Sequence, residues 1–131
     1  MPFPVDEARI AEAERELGRR LPIDLRKRLM RDNGGDVTAM PVREAQDEDF
    51  DPYWELHPVW DGSDRRRAAR TASHILCEAA EAGSWPGFPD GAIPFAHNGT
   101  GDRLLIASDS DDILYWNHED GSTLRVRVWW D

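Results

Sequence analysis

Ile93-Pro94-Phe95-Ala96-His97-Asn98-Gly99-Thr100-Gly101-Asp102-Arg103-Leu104-Leu105-Ile106 decides the fold. Two apolar runs flank Asn98-Gly99, the dipeptide that suits the positive φ angles of a tight hairpin, so Ile93–His97 and Leu104–Ser108 read as paired antiparallel strands. Downstream, an acidic turn at Asp109–Asp112 leads into a strand over Ile113–Asn117. Glu119-Asp120-Gly121-Ser122 turns the chain again into a last strand, Leu124–Trp130. There Leu124, Val126 and Val128 fall on one side and Arg125 and Arg127 on the other, because side chains alternate along a strand. The C-terminal third is therefore an antiparallel meander. Its final strand, ending Trp129-Trp130-Asp131, is expected to be an exposed edge able to pair with a second copy.

Upstream, Asp61-Gly62-Ser63-Asp64 reads as the cap of one long helix running from 64 to about Ala82 and stopping at Gly83. Ala68, Ala72, Ile75, Leu76, Ala79 and Ala80 form its apolar stripe, on which Cys77 is expected to be buried. Arg65, Arg66, Arg67 and Arg70 sit in its first turns, an unfavourable place for cations unless acids of 44–64 pair with them. At the N-terminus, Asp6 caps a helix that ends at Gly18. Leu21-Pro22 opens a second helix, which stops before Asn33-Gly34-Gly35. Asp36–Val42 reads as a first strand with Pro41 near its end. Residues 43–52 read as an exposed loop, and Trp54 and Leu56 as part of a second short strand. The expected fold class is α+β in a single domain, 1–131. N-terminal helices and one long central helix pack on a single antiparallel sheet that ends in the C-terminal β-meander.

The 131 residues carry a net charge of −10, concentrated rather than spread. Residues 44–64 hold eight acids and no base, and 90–131 carry a further excess of five acids. Such a field repels nucleic-acid phosphates and anionic membranes and attracts basic partners, so neither nucleic acid nor membrane is expected as a partner. There is no apolar run of the ~18 residues that a membrane span requires. A lone cysteine, Cys77, fits a reducing compartment, and the expected location is cytoplasmic. Of sixteen basic residues only Lys27 is lysine, an arginine bias that fits a GC-rich, bacterial genome.

Catalytic chemistry finds little purchase. His57, His74, His97 and His118 show no metal-ligand spacing, and no serine sits in a nucleophile elbow. Gly99-Thr100-Gly101-Asp102 superficially resembles a phosphate loop, but it joins two strands rather than opening a helix, and Asp102 would repel the ligand. The acids Asp47, Glu48, Asp49 and Asp51, taken with Asp109, Asp111 and Asp112, lack the pattern of a calcium loop. No catalytic, cofactor or metal site is assigned.

Two motif groups, taken together, give a resemblance. The first is Leu17-Gly18-Arg19-Arg20-Leu21-Pro22 with Leu25, Leu29 and Asn33-Gly34-Gly35. The second is Ile93-Pro94-Phe95-Ala96, Asn98–Asp102 and Trp116-Asn117-His118-Glu119. Their order and spacing resemble the SUKH superfamily in its Smi/Knr branch, over about Ile10 to Val128. The resemblance implies an α+β fold and a non-enzymatic, protein-binding role. Bacterial members serve mostly as immunity proteins that neutralise polymorphic-toxin domains, and fungal members act as interaction modules in cell-wall signalling. The helix at 64–82 departs from that pattern.

The function expected from this resemblance is immunity by direct contact with a cognate toxin domain, a basic nuclease being one such partner. The alternatives are a regulatory interaction module without a toxin and, further off, a metal-dependent hydrolase. The partner-contacting set is Asp47, Glu48, Asp49, Phe50, Asp51, Tyr53, Trp54, Asp109, Asp111 and Asp112. Its acids either steer a basic partner or simply solvate a loop. Its aromatics are either interface anchors or core. The expected assembly is a monomer or weak homodimer.

Overall fold

The computed structural model describes residues 3–42 and 50–130. Among these, four helices and six strands follow in the order α1 (Glu7–Leu17), α2 (Ile23–Arg31), β1 (Asp36–Pro41), β2 (Tyr53–Leu56), α3 (Arg65–Arg70), α4 (Ile75–Gly83), β3 (Ile93–His97), β4 (Arg103–Ile106), β5 (Ile113–Trp116) and β6 (Thr123–Trp129).

The first helix begins and ends where its capping residues dictate. Asp6 Oδ1 accepts the Arg9 N–H at 3.0 Å, and Gly18 closes α1 at φ 78°, a left-handed angle that glycine adopts without strain. Glu14, buried on α1, accepts the Leu21 N–H at 2.6 Å and lies 3.3 Å from Arg26 Nε, which ties α1 to the start of α2. Past α2, Asn33 does more than turn the chain. Its buried side-chain amide donates to Val59 O and accepts from Val59 N–H, both at 2.8 Å, pinning the segment after β2 as a strand neighbour would.

The strands pair antiparallel in sequence order, and β6 then pairs with β1, so the sheet closes into a six-stranded barrel. This corrects the expectation of an open sheet. It also removes the expected free edge: β6 is bonded to β5 through Leu114↔Arg125 and to β1 through Thr38↔Trp129 and Pro41↔Val126. Closure satisfies the backbone groups that an edge would leave unpaired. The meander itself is as expected, with a bulge in β3 between Pro94 and Ala96. Inside the barrel, Val37, Ala39, Trp54, Leu56, Phe95, Leu104, Ile106 and Val126 form one core continuous with Ile10, Leu25 and Leu29 of the N-terminal helices.

The long helix expected over 64–82 is two helices. Thr71 ends α3: its hydroxyl donates to Arg67 O at 2.9 Å and accepts the Asp61 N–H at 3.0 Å. The amide of Ile75, at the start of α4, bonds to Pro58 O at 2.8 Å. The break lets α4 lie along β3 while α3 stays at the surface. Of the expected apolar stripe only Ile75 is fully buried, Ala72 and Ala80 are exposed, and so is Cys77, whose Sγ lies 3.2 Å from His74 Nε2. Among the described residues, the expected pairing of the α3 arginines with acids of 44–64 holds for Arg67. Arg66, Arg67 and Arg70 surround the Phe3 ring at 4.3–5.8 Å, and Arg67 pairs with Asp64 and Asp61. No described helix is long and apolar enough to cross a membrane.

Candidate functional site

Strand alternation sorts the barrel's side chains into an inner and an outer set, and the outer set has two apolar regions. On β4 and β5, Leu105 and Leu114 face each other across the ladder, with Trp116 two pairs further on, on the same side. The chain after α4 folds over them. Ala92 completes that cluster, Phe88 meets Trp116 edge-on at 5.2 Å, Trp85 lies 5.9 Å from it, and the Trp116 indole N–H donates to Gly87 O at 3.1 Å. Gly87 is required there: at φ 80°, an added Cβ would meet Gly121 of the β5–β6 turn at 3.3 Å. Trp116 is consequently fully buried although it points out of the barrel.

On β2, β1 and β6 no described segment covers the outer face in this way. Tyr53 stands opposite Thr38, and Thr38 opposite Trp129, giving one row across three strands; Met40, two residues along β1, stands opposite Arg127. Tyr53 is 69% exposed, Trp129 46% and Met40 45%. A cleft of about 320 Å³ adjoins the face, with Ile23, Val42, Asp111, Asp112, Arg125 and Arg127 among its walls.

The partner-contacting set expected from sequence divides on this geometry. Asp47, Glu48 and Asp49 lie outside the described residues. Trp54 is core: it points inward opposite Val37, its indole N–H donating to Asp51 O at 2.8 Å. Phe50 is half-buried and packs against the barrel core, 5.3 Å from the Tyr115 ring and 6.3 Å from Trp54. Tyr53 alone of the three aromatics presents itself to solvent. Asp51 is exposed and accepts the Tyr53 N–H at 2.9 Å. At the β4–β5 turn Asp109 is exposed, Asp111 is held by Arg19 at 2.7 Å and Asp112 by Arg125 at 3.2 Å. Arg19 also donates to Ala107 O and Ser110 O, so this turn is clamped from α1's end and part of its charge is neutralised. Sequence reasoning missed Trp129 and Met40 as surface groups, although the alternation that places Val126 and Val128 inward places Trp129 outward.

The matched motifs act locally. Asp102, in the β3–β4 turn, accepts the Tyr115 hydroxyl at 2.6 Å, the His118 N–H at 3.1 Å and His118 Nδ1 at 2.6 Å. Burial pushes this carboxyl up, but those hydrogen bonds outweigh it and hold it below its ordinary value. Gly101, at φ 103°, leaves room for the His118 ring, which an added Cβ would approach to 3.0 Å. Asp102 thus ties the β3–β4 turn to β5 and to the start of the β5–β6 turn, and the loop that resembles a phosphate cradle is filled by its own side chains. The SMI1 / KNR4 family model (SUKH-1) matches residues 4–129.

The chain belongs to this family. No curated protein and no solved structure matches it. For this SUKH-1 chain the motif residues hold turns and helix ends: Gly18 caps α1, Arg19 clamps the β4–β5 turn, Asn33 pins the chain at Val59 and Asp102 secures the hairpin. None of them lies on the bare face, so the family signature and the candidate surface are separate parts of the molecule.

Two histidines stack beside α4. The His57 and His97 rings lie 5.0 Å apart at 9°, His97 Nε2 is 3.4 Å from Glu55, and Arg103 Nη2 is 3.7 Å from Glu78. Burial, and then the charges of His97 and Arg103, push the buried His57 imidazole down to about 3, so it is neutral at physiological pH. Among the described residues no group of three or more His, Cys, Asp or Glu side chains is placed to hold a metal ion.

Proposed function

We propose that this SUKH-1 protein is an immunity protein that binds and neutralises a cognate polymorphic-toxin domain by direct contact through the outer face of β2, β1 and β6. The bare row Tyr53–Thr38–Trp129 with Met40 carries this reading. Tyr, Trp and Met are enriched in protein interfaces, and the two aromatics supply large contact area for little lost side-chain freedom. The same barrel buries its other outward apolar cluster under its own chain, so exposure here is a property of one face and not of the fold. Membership of a family whose bacterial members serve mostly in immunity supports the same direction.

In this reading Asp47, Glu48, Asp49 and Asp51 lie between β1 and β2 in sequence and steer a basic toxin, for instance a nuclease whose active site expects phosphate. Asp109 adds charge at the neighbouring turn; Asp111 and Asp112, held by Arg19 and Arg125, contribute less. Binding needs no cofactor, and the protein acts in the cytoplasm of the cell it protects. The test is co-expression with the toxin domain encoded beside the gene. Cell survival together with a co-purifying complex is the expected result. Death despite abundant soluble protein would contradict the proposal.

A further inference from the structure

We infer that the β2–β1–β6 face also docks a second copy of this chain, forming a reversible two-fold homodimer that masks the face when no toxin is bound. The inference rests on the reading of this face as a docking surface and adds its occupant in the free protein. With the strands vertical and β2 at the left, the outward residues form a small grid. Glu55 and Asp36 stand opposite one another at one corner, Tyr53, Thr38, Trp129 and Met40 fill the middle, and Arg127 followed by Arg125 occupies the diagonally opposite corner. Both corners are exposed. Arg127 makes no ion pair among the described residues, whereas Glu55 and Arg125 each keep one partly exposed partner, His97 and Asp112.

This charge pattern is self-complementary. A two-fold axis lying in the plane of the face, along the other diagonal, brings each acidic corner over the second copy's arginines while the apolar centres meet. An isologous contact needs that property, since every patch must face the partner's equivalent of its own complement. A second copy meets opposite charge at both of these corners. Closure of the barrel excludes the alternative route to self-association, edge-to-edge strand pairing, because β6 is bonded on both sides. The face is only three strands wide, which suits a weak, exchanging dimer that a toxin can displace.

Sedimentation equilibrium on the purified full chain alone, from about 1 μM to about 1 mM, tests this. A monomer–dimer equilibrium is expected, with a dissociation constant raised at least about tenfold by Arg127→Glu or by Glu55→Arg, on the scale of like-charge contacts in an interface. Trp129→Arg should weaken it by about 30-fold or more, as loss of a hot-spot aromatic does. Mixing the two charge-reversed variants should restore association as a heterodimer, because the two reversed positions then face each other with opposite sign. Folding of each variant is checked by circular dichroism. A monomer throughout the range would overturn the inference, as would a dimer indifferent to Trp129 and to both charge reversals. Toxin binding is assayed separately, so a monomeric protein that still captures its toxin would refute the dimer and leave the immunity reading standing.

Discussion

The two outward apolar regions of the barrel use similar residues for opposite ends. On β4–β5, Leu105, Leu114 and Trp116 are sealed by Trp85, Phe88 and the Gly87–Gly121 contact. On β2–β1–β6, Tyr53, Met40 and Trp129 remain at the surface. The difference lies in the connections: the link from α4 to β3 crosses β4–β5, and no described segment crosses the other face. A tryptophan outside the barrel is therefore structural or available according to the loop that passes over it.

Substitutions should separate the faces cleanly. Trp116→Ala removes a fully buried indole and should destabilise the fold by about 3–5 kcal/mol in urea unfolding, with toxin affinity unchanged in the folded fraction. An equal loss for Trp129→Ala would mean that the two faces do not differ in kind.

Acid should act on the sealed side of the molecule next. His57 has a folded value of about 3 against 6.5 when unfolded, so between these pH values the unfolded chain takes up a proton that the native protein refuses. Its contribution is complete above about pH 6.5 and is lost as pH falls toward 3, by up to about 1.4 kcal/mol per pH unit. Urea midpoints measured from pH 7 to 4 should fall less steeply in His57→Gln than in the native sequence. Identical slopes would remove His57 as the cause.

On the bare face, Tyr53→Ala and Trp129→Ala should each cost about 2 kcal/mol or more in toxin binding by calorimetry, yet shift unfolding by no more than about 0.5 kcal/mol. The smallest effect is electrostatic. Neutralising Asp47, Glu48, Asp49 and Asp51 together should slow association and flatten its salt dependence, with little change in dissociation. Unchanged association kinetics would remove this segment from the interface.

Much of the fold is legible in the sequence. Asp6, Gly18 and Pro22 mark helix ends by local chemistry alone, and Asn98-Gly99 marks the hairpin. Barrel closure is not legible, because it depends on a register between Thr38 and Trp129, about ninety residues apart, that no local signal encodes. The segment 64–82 misleads because its alanines keep a helical period straight through Thr71, whose side-chain hydrogen bonds reach back to Arg67 and to Asp61. Cys77 is exposed because it lies two residues, about 200° round α4, from the buried Ile75. Within the candidate site, the aromatics of β2 read equally as anchors and as core while each is taken singly. Period-two alternation resolves the pair: Leu56 inward requires Trp54 inward and Tyr53 outward.

Immunity through the bare face is tested most directly by survival of cells expressing the adjacent toxin domain alongside either the native protein or Tyr53→Arg/Trp129→Arg, with equal soluble levels and equal unfolding midpoints confirmed. Cells carrying the native protein should survive, and cells carrying the variant should die. Survival with both would rule this face out and move the contact elsewhere on the molecule.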